Sequence, residues 1–336
     1  MDLLTQGVLG AAMAQSGAPA REARVATGVG FAAGLLPDAD ALIRSAEDPL
    51  LVLEYHRHFT HALVFVPAGA LVAALLLWPF LRRRLAFPRL YLYAFLGYAL
   101  AGLLDACTSY GTNLLWPFSD RTVAWSIIAI VDPVFTLLLA VPLALGWRRR
   151  QPALARAGLA LAALYLGLGI VQHLRALDAA RDLAASRGHQ TDRLLVKPTM
   201  ANLVLWRSVY VHDGRAYADG VRVGLPGNVR IFPGESAPLV DGAAPLPGAP
   251  AGSTALRDVG RFVRFSDGLA APHPARPYVI GDVRYAMLPD SVTPLWGIEL
   301  DPANPDAHAR FVTDRTLTPA MRGRFVDMLL GRDLKD

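Results

Sequence analysis

Cysteine is almost missing from this chain. Cys107 is the only one in 336 residues, which excludes an internal disulfide framework and leaves the redox compartment open. Charge is also scarce: 18% of residues are Asp, Glu, Lys or Arg against a hydrophobic fraction of 53%, too apolar a balance for a soluble protein of this size. The start, MDLLTQGVLGAAMAQ, lacks the basic n-region of a cleavable signal, so it is expected to stay in the mature protein. No internal repeat is visible and no broken helices recur in paired halves, which speaks against a transporter. The formal net charge of +5 does not point to nucleic acid, because the basic residues sit at the ends of apolar segments or are scattered through the C-terminal half. No nucleic-acid binding is expected.

The apolar excess is concentrated before residue 175. Four stretches, about 61 to 81, 90 to 107, 125 to 146 and 153 to 173, approach the roughly 20 apolar residues needed to cross a bilayer. Two shorter apolar helices, about 3 to 14 and 24 to 36, precede them and suit half-spanning, tilted or buried segments. Arginine clusters at 82 to 84 and 148 to 150, with Arg21 and Arg24, place those loops in the cytoplasm by the positive-inside rule. The opposite ends, including LPDAD, HRHFTH, the loop from Thr108 to Ala124 and everything after His173, then face the periplasm, with Trp116 and Trp125 as interfacial anchors.

After the last span, LRALDAARDLAASRG reads as an exposed helix ending at Gly188. NLVLWRSVYVHDGRAYADGVRV and RFVRFSDG alternate around Asp-Gly turns and predict hairpins. PGESAPLVDGAAPLPGAPAGS reads as a flexible loop, and TPAMRGRFVDMLLG as a helix with Thr318 as N-cap, Pro319 in its first turn and Gly331 as its stop. The expected fold is mainly α: a polytopic helical membrane domain (1–175) with four long spans and two short N-terminal helices, a helical linker (176–190), and a smaller β-rich aqueous domain with a C-terminal helix (191–336).

Ionisable residues in or beside apolar spans cost on the order of 3 kcal/mol each at mid-membrane and need a reason. Here they form a set on one predicted side: Asp38 and Asp40 in LPDAD, His56, His58 and His61 in HRHFTH, Asp105 in GLLDACTSYGT and Asp132 in IAIVDPVFTL. Carboxylate and imidazole together suit a divalent cation, Zn²⁺ first, with Mn²⁺ or Fe²⁺ as alternatives, and a bound ion offsets the burial of the acids. An extended LPDAD would turn both carboxylates to one face. His58 and His61 have the spacing of one helical face, and His56 joins His61 only if the helix starts near Thr60. Each residue also has a plainer role: the aspartates as helix caps, Asp132 before Pro133 in particular, the histidines as solvated interfacial groups, and Cys107 as a small buried apolar residue.

At these positions the chain resembles the membrane-bound metal-dependent hydrolases of bacteria, the YdjM-like proteins. The resemblance lies in MDLLTQGVLGAA, LPDAD, HRHFTHAL, LLDACTSYGTNLLWPFSDRTVAW and VDPVFTL, in that order, and covers most of residues 1 to 146. Over the C-terminal half it is loose, amounting to NLVLWRS. It implies a helical membrane metal site with Asp38, Asp40, His56, His61, Asp105 and Asp132 on the polar positions, and distant kinship with the helical zinc phospholipase C and P1 nuclease group, hence phosphoester hydrolysis. Three positions depart from the family pattern: Ala101 where His-x-Leu-Leu-Asp is common, His58 where glycine is familiar, and Gln6 where some relatives have histidine. Gln6 and His58 are thus auxiliary ligand candidates.

The expectation is an inner-membrane hydrolase acting on a phosphoester or other ester, lipid-linked substrates included. Asp38 or Asp40 would serve as general base and Arg57 would hold an anionic substrate. The rival expectation is a non-catalytic membrane protein with a structural or degenerate metal site, whose C-terminal domain binds a partner. Neither expectation fixes an oligomeric state.

Overall fold

The computed structural model describes residues 1–225, 227–241 and 245–334. They form two compact units. The first comprises Met1–Ile43, Tyr55–Val171 and Met200–Asn202; the second comprises Arg44–Glu54, Gln172–Thr199 and Leu203–Asp336.

The first unit is helical. Asp2 accepts a hydrogen bond from Thr5 N and so opens α1 (Leu3–Ser16), which packs on α2 (Ala23–Leu35). A 3₁₀ turn (Pro37–Leu42), the short α3 (Leu51–Tyr55) and two 3₁₀ turns (Phe59–His61, Leu63–Phe65) lead into α4 (Val66–Leu81). Then follow α5 (Phe87–Tyr98), α6 (Ala101–Ala106), α7 (Pro133–Arg149) and α8 (Pro152–Ser186). Helices α1, α2 and α5 meet at glycines. A Cβ on Gly30 would lie 2.3 Å from Gly10 O, and one on Gly97 would lie 2.6 Å from Gly30 O. Only a missing side chain permits that backbone approach, a common device between apolar helices where no hydrophobic drive separates lipid from partner.

Among the described residues, three stretches are long and apolar enough to cross a membrane: Leu63–Leu81, Phe87–Ala106 and Pro152–Ser186. The fourth expected span, 125 to 146, differs. Residues 125 to 132 are not helical, because Asp132 caps α7 and Pro133 fills its first position, leaving a helix of 17 residues.

The second unit is rich in antiparallel sheet. One sheet has the order β1 (Arg193–Pro198), β2 (Leu205–His212), β3 (Arg215–Val223), β4 (Val229–Phe232), with β5 (Ser236–Pro238) also paired to β3. The turn between β2 and β3 is the expected Asp-Gly pair: Asp213 and Gly214 both have positive φ, 47° and 69°, the requirement of a type I′ hairpin. The stretch expected as a flexible loop thus contributes β5, while its residues 242–244 lie outside the described residues.

RFVRFSDG is not a hairpin. It is the end of α9 (Thr254–Phe265), where Ala255, Val259 and Phe262 recur at helical spacing on one buried face, and Gly268 closes the turn with its N–H on Val263 O. A second sheet, β6 (Ala270–Pro272), β7 (Val279–Asp282), β8 (Trp296–Glu299), β9 (Arg310–Thr313), follows in sequence order. The chain then forms α10 (Pro319–Leu330), with Thr318 capping Met321 N and Gly331 in the left-handed conformation as its stop.

Leu50 is a core residue of the second unit. It packs in one apolar cluster with Val259 and Phe262 of α9, Ile280 of β7 and Ile298 of β8. Segment Arg44–Glu54 therefore belongs with residues far along the chain, although it interrupts the first unit between Ile43 and Tyr55.

Candidate metal centre

The 3₁₀ turn Pro37–Leu42 differs from the extended LPDAD expected. Proline at its first position and Asp38 and Asp40 in its first turn favour the tight helical start. Asp38 and Asp40 consequently do different things.

Asp38, His61 and Asp105 each offer one ligand atom, and these atoms lie within 4.8 Å of one another. His61 Nε2 is 3.0 Å from Asp105 Oδ2 and 3.6 Å from Asp38 Oδ1. All three side chains are nearly dry, 7% exposed for Asp38 and 0% for the other two. Among the described residues, His61 Nε2, Asp105 Oδ2 and Asp38 Oδ2 have no hydrogen-bond partner, although Arg57 Nε lies 3.2 Å from Asp105 Oδ2.

The other ring nitrogen settles what Nε2 presents. Thr60 Oγ1 donates its single proton to Asp40 Oδ2 at 2.7 Å, so at 3.0 Å from His61 Nδ1 it can only accept. Nδ1 therefore carries a hydrogen, with Asp40 Oδ2 a further 3.2 Å neighbour. A neutral His61 then directs its Nε2 lone pair at two carboxylate oxygens. Three electron-rich atoms facing one another in a dry site favour a cation between them, either a proton or a metal ion. With a proton there, burial opposes the charge but hydrogen bonds to Asp105, Asp38 and Asp40 outweigh it, and His61 is pushed up to about 10.

Asp40 is occupied. Its Oδ1 faces His56 Nδ1 at 2.8 Å, and its Oδ2 accepts from Arg57 N at 2.8 Å as well as from Thr60. Burial raises its carboxyl, but the His56 and His61 rings beside it outweigh that and hold it below the usual carboxylate range. His56 bonds to the group through Asp40 and stands edge-on to the His61 ring, 6.4 Å between centroids. Its ring otherwise stands against Tyr110.

Arg57 is buried and adopts φ 61°, the left-handed region that non-glycine residues enter at a cost of about 1–2 kcal/mol. The strain places its N–H on Asp40 and its side chain behind Asp105. Nη1 donates to Thr108 Oγ1 at 2.9 Å, Nε lies 3.2 Å from Asp105 Oδ2, and the guanidinium sits 4.9 Å over the Tyr110 ring. The Met1 amino group is also ion-paired with Asp105.

The remaining candidates stand outside this group. Asp132 Oδ1 accepts from Phe135 N at 3.0 Å and Oδ2 from Tyr165 OH at 2.9 Å, the work of an N-cap. His58 lies among the rings of Tyr55, Phe59 and Trp116. His58 and His61 do not share a helix, because Phe59–His61 is a single 3₁₀ turn separated from α4 by Ala62 and another such turn. Gln6 Nε2 donates to Ala101 O at 3.2 Å and its buried Oε1 has no partner, so two of the positions that depart from the family pattern adjoin each other. Thr60 and Thr108 were not legible as site residues; only their adjacency to His61 in HFTH and Asp105 in DACT marked them.

A helical unit with membrane-spanning stretches, a buried acid and imidazole group at their ends, and a β-rich unit after it define a membrane protein with a candidate metal centre. The model of the YdjM inner membrane protein family matches residues 1–176, and the chain belongs to that family. The chain is similar to the uncharacterized protein YfhP of Bacillus subtilis (strain 168), 25% identical over 164 residues, 49% of each chain. It thus spans about half the length of that relative. No solved structure matches.

Proposed function

We propose that this inner-membrane protein is a metal-dependent hydrolase of phosphoester or other ester bonds, lipid-linked substrates included, with Asp38, His61 and Asp105 holding a divalent ion, Zn²⁺ first among candidates. One observation carries the reading. Two carboxylates and an imidazole nitrogen meet in a dry site, each with an atom that makes no hydrogen bond among the described residues, and three ligands rather than four is the donor count of catalytic zinc sites, which keep a position open. A bound ion there would supply an acidified water and a Lewis acid for a phosphoryl or acyl oxygen.

The surrounding residues divide the remaining tasks. Asp40 and Thr60 keep the proton of His61 on Nδ1 and so leave Nε2 free to ligate. Arg57 steadies Asp105, and its guanidinium is a positive charge beside the site for an anionic substrate or leaving group. Asp38, whose Oδ2 is unpartnered, is the better placed general base, since both oxygens of Asp40 are engaged. The arginine-rich loops support a periplasmic side for the centre and for the C-terminal part of the chain. A reporter fused to the C-terminus tests that side.

Two contacts favour the second reading, a non-catalytic protein with a structural or degenerate site: Arg57 and the Met1 amino group both pair with Asp105. The experiment separating the two is metal analysis of the purified chain, followed by a panel of phosphodiesters, phosphomonoesters and carboxylic esters. The hydrolase reading expects turnover that a chelator abolishes, Zn²⁺ restores, and His61→Ala and Asp105→Asn lack. Full metal loading without turnover on the whole panel supports the structural role.

A further inference from the structure

The segment that joins the two ligand-bearing parts of the site is built into the second unit. Asp38 and Asp40 precede it, His56 to His61 follow it, and Arg44–Glu54 in between folds with residues beyond 172. Two features hold it there. Leu50 is 1% exposed in the apolar core beside Val259 and Phe262. Arg261 of α9 grips it by charge: Nη1 and Nη2 donate to Asp48 Oδ1 and Oδ2 at 3.0 and 2.8 Å, and Nε donates to Glu54 Oε1 at 2.7 Å. Arg261 is itself fixed by Asp258 at 3.0 Å, whose other oxygen takes His308 Nδ1 and Ala309 N.

Glu54 lies two residues before His56, and Arg44 four residues after Asp40. A planar guanidinium making a forked pair with one carboxylate and a third bond with another fixes both position and angle, which a single surface ion pair does not. We infer that Arg261 is a positioning residue for the metal centre: by pinning this strap at its middle, Asp48, and at its last residue, Glu54, it sets the register of Asp38 and Asp40 against His61, so that the second unit and metal binding are energetically linked. The inference rests on the metal reading proposed above.

Linkage is reciprocal, so it can be read from either side. The experiment uses the full chain in detergent or nanodiscs, with Zn²⁺ alone as the probe against a chromophoric chelator, and Co²⁺ as a spectroscopic substitute. Arg261→Gln is expected to weaken Zn²⁺ binding by at least about fivefold, the lower end of ordinary coupling between sites, and to alter the visible Co²⁺ spectrum. Arg324→Gln is the control. It removes another ion pair of the second unit, with Asp290, that does not touch the strap, and it should leave both readouts unchanged.

If Arg261→Gln does not fold, Asp48→Asn and Glu54→Gln each remove part of the grip. In the wild type, Zn²⁺ should slow backbone hydrogen exchange in residues 48–54 and in α9. A variant series that loosens the strap while Zn²⁺ affinity and Co²⁺ spectrum stay at wild-type values, or Zn²⁺ binding that leaves strap exchange unaltered, overturns the linkage and spares the metal site. Wild-type protein that takes up no Zn²⁺ removes both.

Discussion

Replacing Asp40 by asparagine distinguishes a residue that holds a ligand from one that is a ligand. The amide fits in one orientation only. With its nitrogen at the Oδ2 position it would turn donors toward Arg57 N–H and Thr60 O–H, which already donate there. With its nitrogen at the Oδ1 position it keeps both of those bonds and donates instead to His56 Nδ1. The backbone geometry of the strained Arg57 and the Thr60 bridge should therefore survive, and what is lost is the negative charge 3.2 Å from His61 Nδ1. Loss of such a partner lowers metal affinity about 10–100-fold, or about 1.4–2.7 kcal/mol. The assay is Zn²⁺ competition against a chelator on the full chain, with Asp38→Asn and Asp105→Asn, each removing a direct ligand, losing more. Wild-type affinity in Asp40→Asn refutes the reasoning. So does a loss as deep as that of Asp105→Asn accompanied by one fewer oxygen ligand, since Asp40 would then bind the ion itself.

Further outcomes follow from the same geometry. His61 is held up to about 10 in the metal-free protein, so it carries a proton at neutral pH that ligation must displace; Zn²⁺ affinity should rise about tenfold per pH unit below that value, and titration calorimetry in buffers of different ionisation enthalpy should count about one proton released. By the same raised pKa, the metal-free fold draws stability from this group that is complete below the unfolded value of 6.5 and lost as pH climbs through about 10, a trend that denaturation without Zn²⁺ should show and saturating Zn²⁺ should abolish. Asp132→Ala removes a helix cap and the partner of Tyr165, and should cost about 0.5–2 kcal/mol in thermal stability while leaving Zn²⁺ affinity unchanged; a metal-deficient Asp132→Ala would make it a ligand. Gly30→Ala drives a Cβ to 2.3 Å from Gly10 O and should lower detergent stability by about 1–3 kcal/mol; an unaltered melting temperature would show that α1 and α2 do not meet there.

Much of the architecture could be read from periodicity and punctuation. The apolar runs, the Asp213-Gly214 turn, and the Thr318, Pro319 and Gly331 signals are local, and local signals survive into the fold. Where they misled, a competing local force decided. RFVRF alternates over five residues, yet across twelve its apolar positions follow the helical period, and the longer pattern buries more. The span expected from residue 125 starts late because Asp132 and Pro133 together open a helix more strongly than the preceding apolar residues extend one.

The site was legible as a set of residue types, since buried acids and imidazoles beside apolar spans are costly without a cation. Their division of labour was not. Asp38 and Asp40 look equivalent in LPDAD, and only the 3₁₀ turn sends one toward His61 Nε2 and the other toward Arg57 N, Thr60 and His56. Nothing in SAEDPLLVLE announces that it folds with α9, because its partners, Arg261 and the cluster around Phe262, lie some two hundred residues away.

The central claim is that His61 Nε2, Asp38 and Asp105 share one divalent cation. X-ray absorption at the zinc K-edge on the Zn²⁺-loaded full chain tests it most directly. The account predicts one ion per chain, with a single imidazole and otherwise oxygen ligands at about 2.0–2.2 Å, and no uptake by His61→Ala. Two or more imidazoles in the shell, a sulfur ligand, or equal loading of His61→Ala would contradict it.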